Sequence, residues 1–169
     1  MKKCHLFRFR VRRVVAALAV VFAAVLVISQ SATAASWNGI EPLKSRRVDV
    51  ERILGKPIKD QPGSSGVLRF KVAGGTVTIA FVDARFVAAK KLSPELEGTV
   101  RQIVLQHDSA SDTPESLGLP KKSDFTREEG QGVTKYTNLK EGLVYTFING
   151  RLRTTYFTPS TVQWSSAQR

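Results

Sequence analysis

The sequence predicts an α+β fold, a small antiparallel sheet of hairpins packed on one or two short helices. Three stretches carry the prediction. Leu43–Pro57 spaces its apolar residues as a helix does and ends in Gly55-Lys56-Pro57; Val67–Val82 alternates around a glycine pair; Leu143–Thr158 reads as two strands hinged at Asn149-Gly150. A period of two marks a half-buried strand, and Asn-Gly is a strong signal for a type I′ hairpin turn.

Ahead of these stretches, Met1–Arg13 carries six basic residues and no acid, and Val14–Ile28 is an unbroken apolar run. Ala32-Thr33-Ala34 then places small residues where a signal peptidase reads them. The pattern predicts a signal peptide over 1–34, cleaved after Ala34, and so a secreted or periplasmic chain. As a helix, the fifteen apolar residues would span about 22 Å against a hydrocarbon core of about 30 Å. No membrane span is expected once the leader is cleaved. Cys4, the single cysteine, precedes the apolar run, so lipid anchoring, disulfides and thiolate chemistry are not expected of the remaining segment.

Leader cleavage also changes the charge. The whole chain has 26 basic and 14 acidic residues, net +12, but removing the six basic residues of the leader leaves 20 against 14, net +6. That balance suits attraction to an anionic surface and lacks the concentrated basic face of a nucleic-acid binder. The 135 residues after Ala34 are enough for one domain, 35–169.

Within that domain, Trp37 and Ile40 form either a short strand or an apolar cover for the helix that follows. In the helix, Ser45 is placed to cap the start, Asp49 and Glu51 lie towards its positive end, and Gly55 and Pro57 stop it. Val50, Ile53 and Leu54 form the apolar stripe, and Arg46, Arg47 and Arg52 point to water. Lys59–Gly66 reads as a flexible link, and Val67–Val72 and Thr76–Val82 as a hairpin. After Asp83 the pattern loosens; Ser93-Pro94-Glu95 predicts a single helical turn, and Thr99–His107 a third strand. Asp108–Lys122 is a long surface loop with a turn of helix at Pro114–Leu117.

The C-terminal third has the clearest strands. Phe125–Glu128 and Val133–Thr137 are short strands, and Leu143–Ile148 pairs with Arg151–Thr158. Pairing Ile148 with Arg151 and alternating strictly puts Leu143, Tyr145, Phe147, Leu152, Thr154 and Tyr156 on the core face. The same register puts Val144, Ile148, Arg151, Arg153 and Phe157 together on the other, with Thr146 and Thr155. The five make a mixed basic and apolar strip, a candidate partner-binding site unless the Pro42–Pro57 helix packs over it. Ser160–Arg169 is polar apart from Val162 and Trp164 and is expected to fray as a flexible tail.

No catalytic set emerges from the residues. His107 is the sole histidine after the leader, no serine sits in a nucleophile elbow, and Gly130-Gln131-Gly132 precedes no helix that could hold phosphate. Asp108 and Asp112 have the first spacing of a calcium loop, but Ala110, Thr113 and Leu119 occupy its remaining key positions. Glu128 and Glu129 would splay to opposite sides of a strand, and Glu95 and Glu97 lie on an exposed turn, so neither pair makes an acid/base couple. No metal ligands, catalytic residues or cofactor are assigned.

The element PLKSRRVDVERILGKP at Pro42–Pro57 resembles the helix of the SmpA/OmlA (BamE) outer-membrane lipoproteins and of the related beta-lactamase-inhibitor-like domains. The resemblance implies helices on one face of a small antiparallel sheet and action by binding other proteins. This chain lacks the acylated cysteine of the lipoproteins. More broadly, the run from Trp37 through Gly55-Lys56-Pro57 to Tyr156–Ser160 resembles short secreted bacterial proteins of unassigned activity.

Leader, missing catalytic set and resemblance together lead to a secreted or periplasmic, non-enzymatic binding or scaffold protein of the cell envelope. Its expected partner is an envelope protein or an anionic envelope component. Two other readings stand beside it: a hydrolase with a carboxylate site, and an inhibitor-like module that presents the Asp108–Lys122 loop.

Overall fold

The computed structural model describes residues 34–61 and 66–168. The leader and the middle of the predicted link lie outside the described residues. In chain order the elements are α1 (Arg47–Leu54), β1 (Lys59–Gln61), β2 (Val67–Val72), β3 (Gly75–Phe81), α2 (Ala84–Lys90), β4 (Val100–His107), β5 (Thr126–Gly130), β6 (Val133–Asn138), β7 (Leu143–Ile148), β8 (Arg151–Phe157) and α3 (Thr161–Ala167).

All eight strands join one antiparallel sheet in the order β1-β2-β3-β4-β8-β7-β6-β5. The expectation of a small sheet of hairpins packed on one or two helices is overturned. Seven longer strands and a three-residue edge strand make one continuous sheet, and the described helices are short, of eight, seven and seven residues. The reason is the pairing of β4 with β8, Ile103 to Phe157 through Gln106 to Thr154, which fuses an N-terminal and a C-terminal meander. Each hairpin is a local pattern; the seam between them is a non-local pairing with no sequence signature of its own.

Register then sorts the side chains. On one face, here called inner, Leu68 and Phe70 of β2 oppose Ile79 and Val77 of β3, and Ile79 in turn opposes Ile103. These side chains and Ile40 and Val50 are at most 1 % exposed and form the main core. A second core on the same face joins Leu119 of the long loop to Tyr136, Phe147 and Leu152.

The last hairpin departs from strict alternation. Phe147 pairs with Leu152 but Thr146 pairs with Thr154, so Arg153 is an extra residue, a β-bulge. Everything after it changes face. Thr155 and Phe157 turn inward, opposite Tyr145 and Leu143, while Thr154 and Tyr156 turn outward, opposite Thr146 and Val144. The sequence-based assignment of Thr154 and Tyr156 to the core, and of Phe157 to the outer strip, is therefore corrected.

Helix α1 lies against the inner face through Val50 and, at the edge of the same core, Leu54. Ile53, expected in the apolar stripe, is 38 % exposed. Arg47, expected in water, is half-buried with its guanidinium 5.8 Å from the centre of the Phe81 ring. The contacting side of the helix thus runs through 47, 50 and 54, an i, i+3, i+7 series rotated from the expected one. Ser45 does not cap this helix: its hydroxyl accepts from Glu41 N at 2.9 Å, and the Asp49 carboxylate accepts from Arg46 N at 3.0 Å instead. Gly55 ends it at φ 79°, ψ −150°, a conformation that glycine alone adopts readily.

Helices α2 and α3 were not expected. The Asp83 carboxylate accepts from Phe86 N at 2.7 Å to start α2. At α3, Ser160 Oγ accepts from Gln163 N at 3.1 Å while Gln163 Oε1 accepts from Ser160 N at 3.0 Å, a reciprocal cap. The predicted fraying tail is thus a docked helix. Trp164 packs 5.9 Å from Phe86 between ring centres, and Ala167 joins Leu43, Val82 and Leu92 in a small satellite core. No helix among the described residues is long and apolar enough to cross a membrane.

Candidate functional site

The five residues of the predicted strip do not share a surface. Phe157 packs against the main core on the inner face. Arg151 Nη1 donates to the Ser111 carbonyl at 2.6 Å, so it ties the long loop to the sheet rather than standing free. Arg153 is exposed at the bulge, Ile148 is 42 % exposed at the hairpin end, and Val144 is half-buried on the outer face. Helix α1 does not cover that face, since Val50 takes it to the opposite side.

What the outer face does bring together is a different set. Across β3, β4, β8 and β7, Thr78 opposes Val104, Val104 opposes Tyr156, and Tyr156 opposes Val144, with Thr146 and Thr154 paired beside them. None of Val104, Val144 and Tyr156 belongs to a hydrophobic core among the described residues. Cations flank the patch. Arg69 donates to Gln106 Oε1 at 3.1 Å, Lys71 pairs with Asp108 at 2.5 Å, and Lys135 faces Glu128 at 3.5 Å. These side chains are exposed, Lys135 in part, and an exposed ion pair is worth about 0–1 kcal/mol, so a partner's acid can displace Gln106, Asp108 or Glu128 at little cost.

A second feature lies on the inner face, in the gap between the two cores. An open cleft of about 670 Å³ has Trp37, Asn38 and Leu54 on one side and residues 108–112 on the other, with Val72, Leu105 and His107 as floor. Gly75 stands opposite His107, and a Cβ there would meet the Gln106 carbonyl, so the close approach of β3 and β4 requires glycine. His107 Nε2 lies 3.0 Å from Thr155 Oγ1, a hydroxyl on a residue that the bulge turned inward. His107, the last residue of β4, is half-buried and lines the cleft together with residues 108–112 of the loop that follows it.

Burial pushes the His107 imidazole below its ordinary pKa, opposed by the nearby Asp112 charge. In the unfolded chain the group titrates at about 6.5, so between there and its lower folded value the unfolded state holds more protons. Stability therefore rises with pH across that window and is lost as pH falls through it. The melting temperature should drop from pH 7 to pH 5, and His107→Gln should flatten part of that slope; an identical slope in both proteins would contradict this role for His107.

The long loop is held down rather than presented. Leu152 N donates to the Asp112 carbonyl at 2.9 Å, Leu119 is 2 % exposed, and Pro114 is buried. A packed loop gives no support to the inhibitor-like reading. Among the described residues no three His, Cys, Asp or Glu side chains gather as a metal would need. Comparison with protein-family models, curated proteins and solved structures finds no match to this chain.

Proposed function

We propose that the chain is a non-enzymatic binding protein of the secreted or periplasmic compartment, and that the outer face of its sheet takes an acidic envelope protein. One observation carries the reading: α1 and the long loop pack on the inner face, leaving the Thr78, Val104, Tyr156 and Val144 row outside every hydrophobic core among the described residues. A flat row of threonine, valine and tyrosine offers apolar contact with hydroxyls at its surface, and the flanking Arg69, Lys71 and Lys135 supply the complementary charge. The resemblance of Pro42–Pro57 to lipoproteins that bind other proteins points the same way.

A pull-down from envelope extract compares the parent with Arg69→Glu/Lys135→Glu, two positions outside the cores. The parent should capture an acidic protein that the folded double variant loses, with capture weakening as salt rises. Equal capture by both proteins contradicts the reading.

A further inference from the structure

The cleft on the inner face differs in charge from the rest of the chain. The whole sequence has 26 basic residues to 14 acidic ones, yet none of the thirteen residues lining the cleft is lysine or arginine. Two are aspartates, and their carboxylates are used differently. Asp108 follows His107 along the strand direction and its carboxylate pairs with Lys71. Asp112 is half-buried, close enough for its charge to act on His107, and makes no side-chain hydrogen bond or ion pair among the described residues. Only its carbonyl is engaged, by Leu152 N, so the loop holds it in place while its carboxylate stays unpaired.

The remaining lining is apolar or weakly polar. Leu54, Val72 and Leu105 give hydrocarbon surface, and Trp37 adds an aromatic ring. The volume, about 670 Å³, falls in the range of small-molecule sites. An unpaired carboxylate in a lining without lysine or arginine favours a cation, and an indole also attracts one through the face of its ring. A phosphate or carboxylate ligand would find no cation in this lining. We propose that the cleft is a binding site for an organic cation, an amine carried on an apolar body, with Asp112 taking the ammonium and Trp37, Leu54 and Leu105 taking the body. The site is on the opposite face from the protein-binding surface and stands whether or not that reading holds.

The test is a titration of Trp164→Phe, in which Trp37 is the single tryptophan, with 2-phenylethylamine and separately with phenylacetate. The amine should shift the Trp37 fluorescence saturably, and Asp112→Asn should weaken it roughly tenfold, the loss of one charge-assisted hydrogen bond. Phenylacetate should give no saturable change. Calorimetric titration of the parent protein repeats the comparison without the Trp164 substitution. Equal response to both compounds, undiminished amine binding by Asp112→Asn, or no saturable response to the amine in either protein would overturn the proposal.

Discussion

Phe147→Asp should abolish cooperative unfolding, whereas Thr146→Asp should leave it intact. Phe147 is fully buried among Leu119, Tyr136 and Leu152, edge-on to Tyr136 with ring centres 5.9 Å apart. Replacing it forfeits about 1.5–3 kcal/mol of burial, and an unpaired carboxylate in that place costs several more. The sum is comparable with the whole stability of a domain, about 5–15 kcal/mol. Thr146, one residue earlier, projects to the outer face opposite Lys135, where a new carboxylate meets water and a cation. Circular dichroism during heating checks both variants. A sharp transition for Phe147→Asp, or its loss for Thr146→Asp, would mean that the register of β7 is wrong.

Gly142→Ala should destabilise by about 2–4 kcal/mol, from strain at a positive φ and from overpacking. Gly142 sits at φ 75°, and a Cβ there would meet the backbone of Thr158 and Pro159. Nothing nearby is free to give way. Gly142 N donates to the Asn138 carbonyl at 2.9 Å, and its own carbonyl accepts from Thr158 N at 2.7 Å. Asn138, 1 % exposed, closes the same corner by accepting from Glu141 N at 3.1 Å and donating to Asp124 at 2.7 Å. Gly150→Ala is the comparison, since Gly150 has φ 72° but open space around its Cβ position. It should cost about 1 kcal/mol, the backbone penalty alone. Urea unfolding of both variants measures the difference, and equal losses would contradict the packing of Thr158 against Gly142.

Much of the local structure was legible in the residues. The hairpin at Asn149-Gly150, the strands 67–72 and 143–148, and the helix ending at Gly55 all have short-range signals, and all are present. The misses share a cause, dependence on distant partners. Nothing around Arg153 announces a bulge; it moves Phe157 inward, opposite Ile103 of a strand some fifty residues earlier. Ser160 and Gln163 do have the spacing of a capping box, but the helix is held by Trp164 on Phe86, a contact across the chain. The candidate site fared worse for the same reason. The proposed strip assumed perfect alternation, so the bulge removed Phe157 and the loop claimed Arg151, while Val104 and Tyr156 met only through the β4–β8 seam. His107 and Asp112 form the cleft because the loop doubles back on β8, through Leu152 N to the Asp112 carbonyl, and no local pattern encodes that return.

Cysteine footprinting in envelope extract tests the central claim, that the outer face is where the partner binds. Cysteine replaces Thr78 or Thr146 on the outer face, or Val48, 69 % exposed on α1, and thiol-labelling rates are compared with and without extract. Slower labelling at positions 78 and 146 with an unchanged rate at 48 is the predicted result. Protection at 48 alone, or no protection at either outer position, would contradict it.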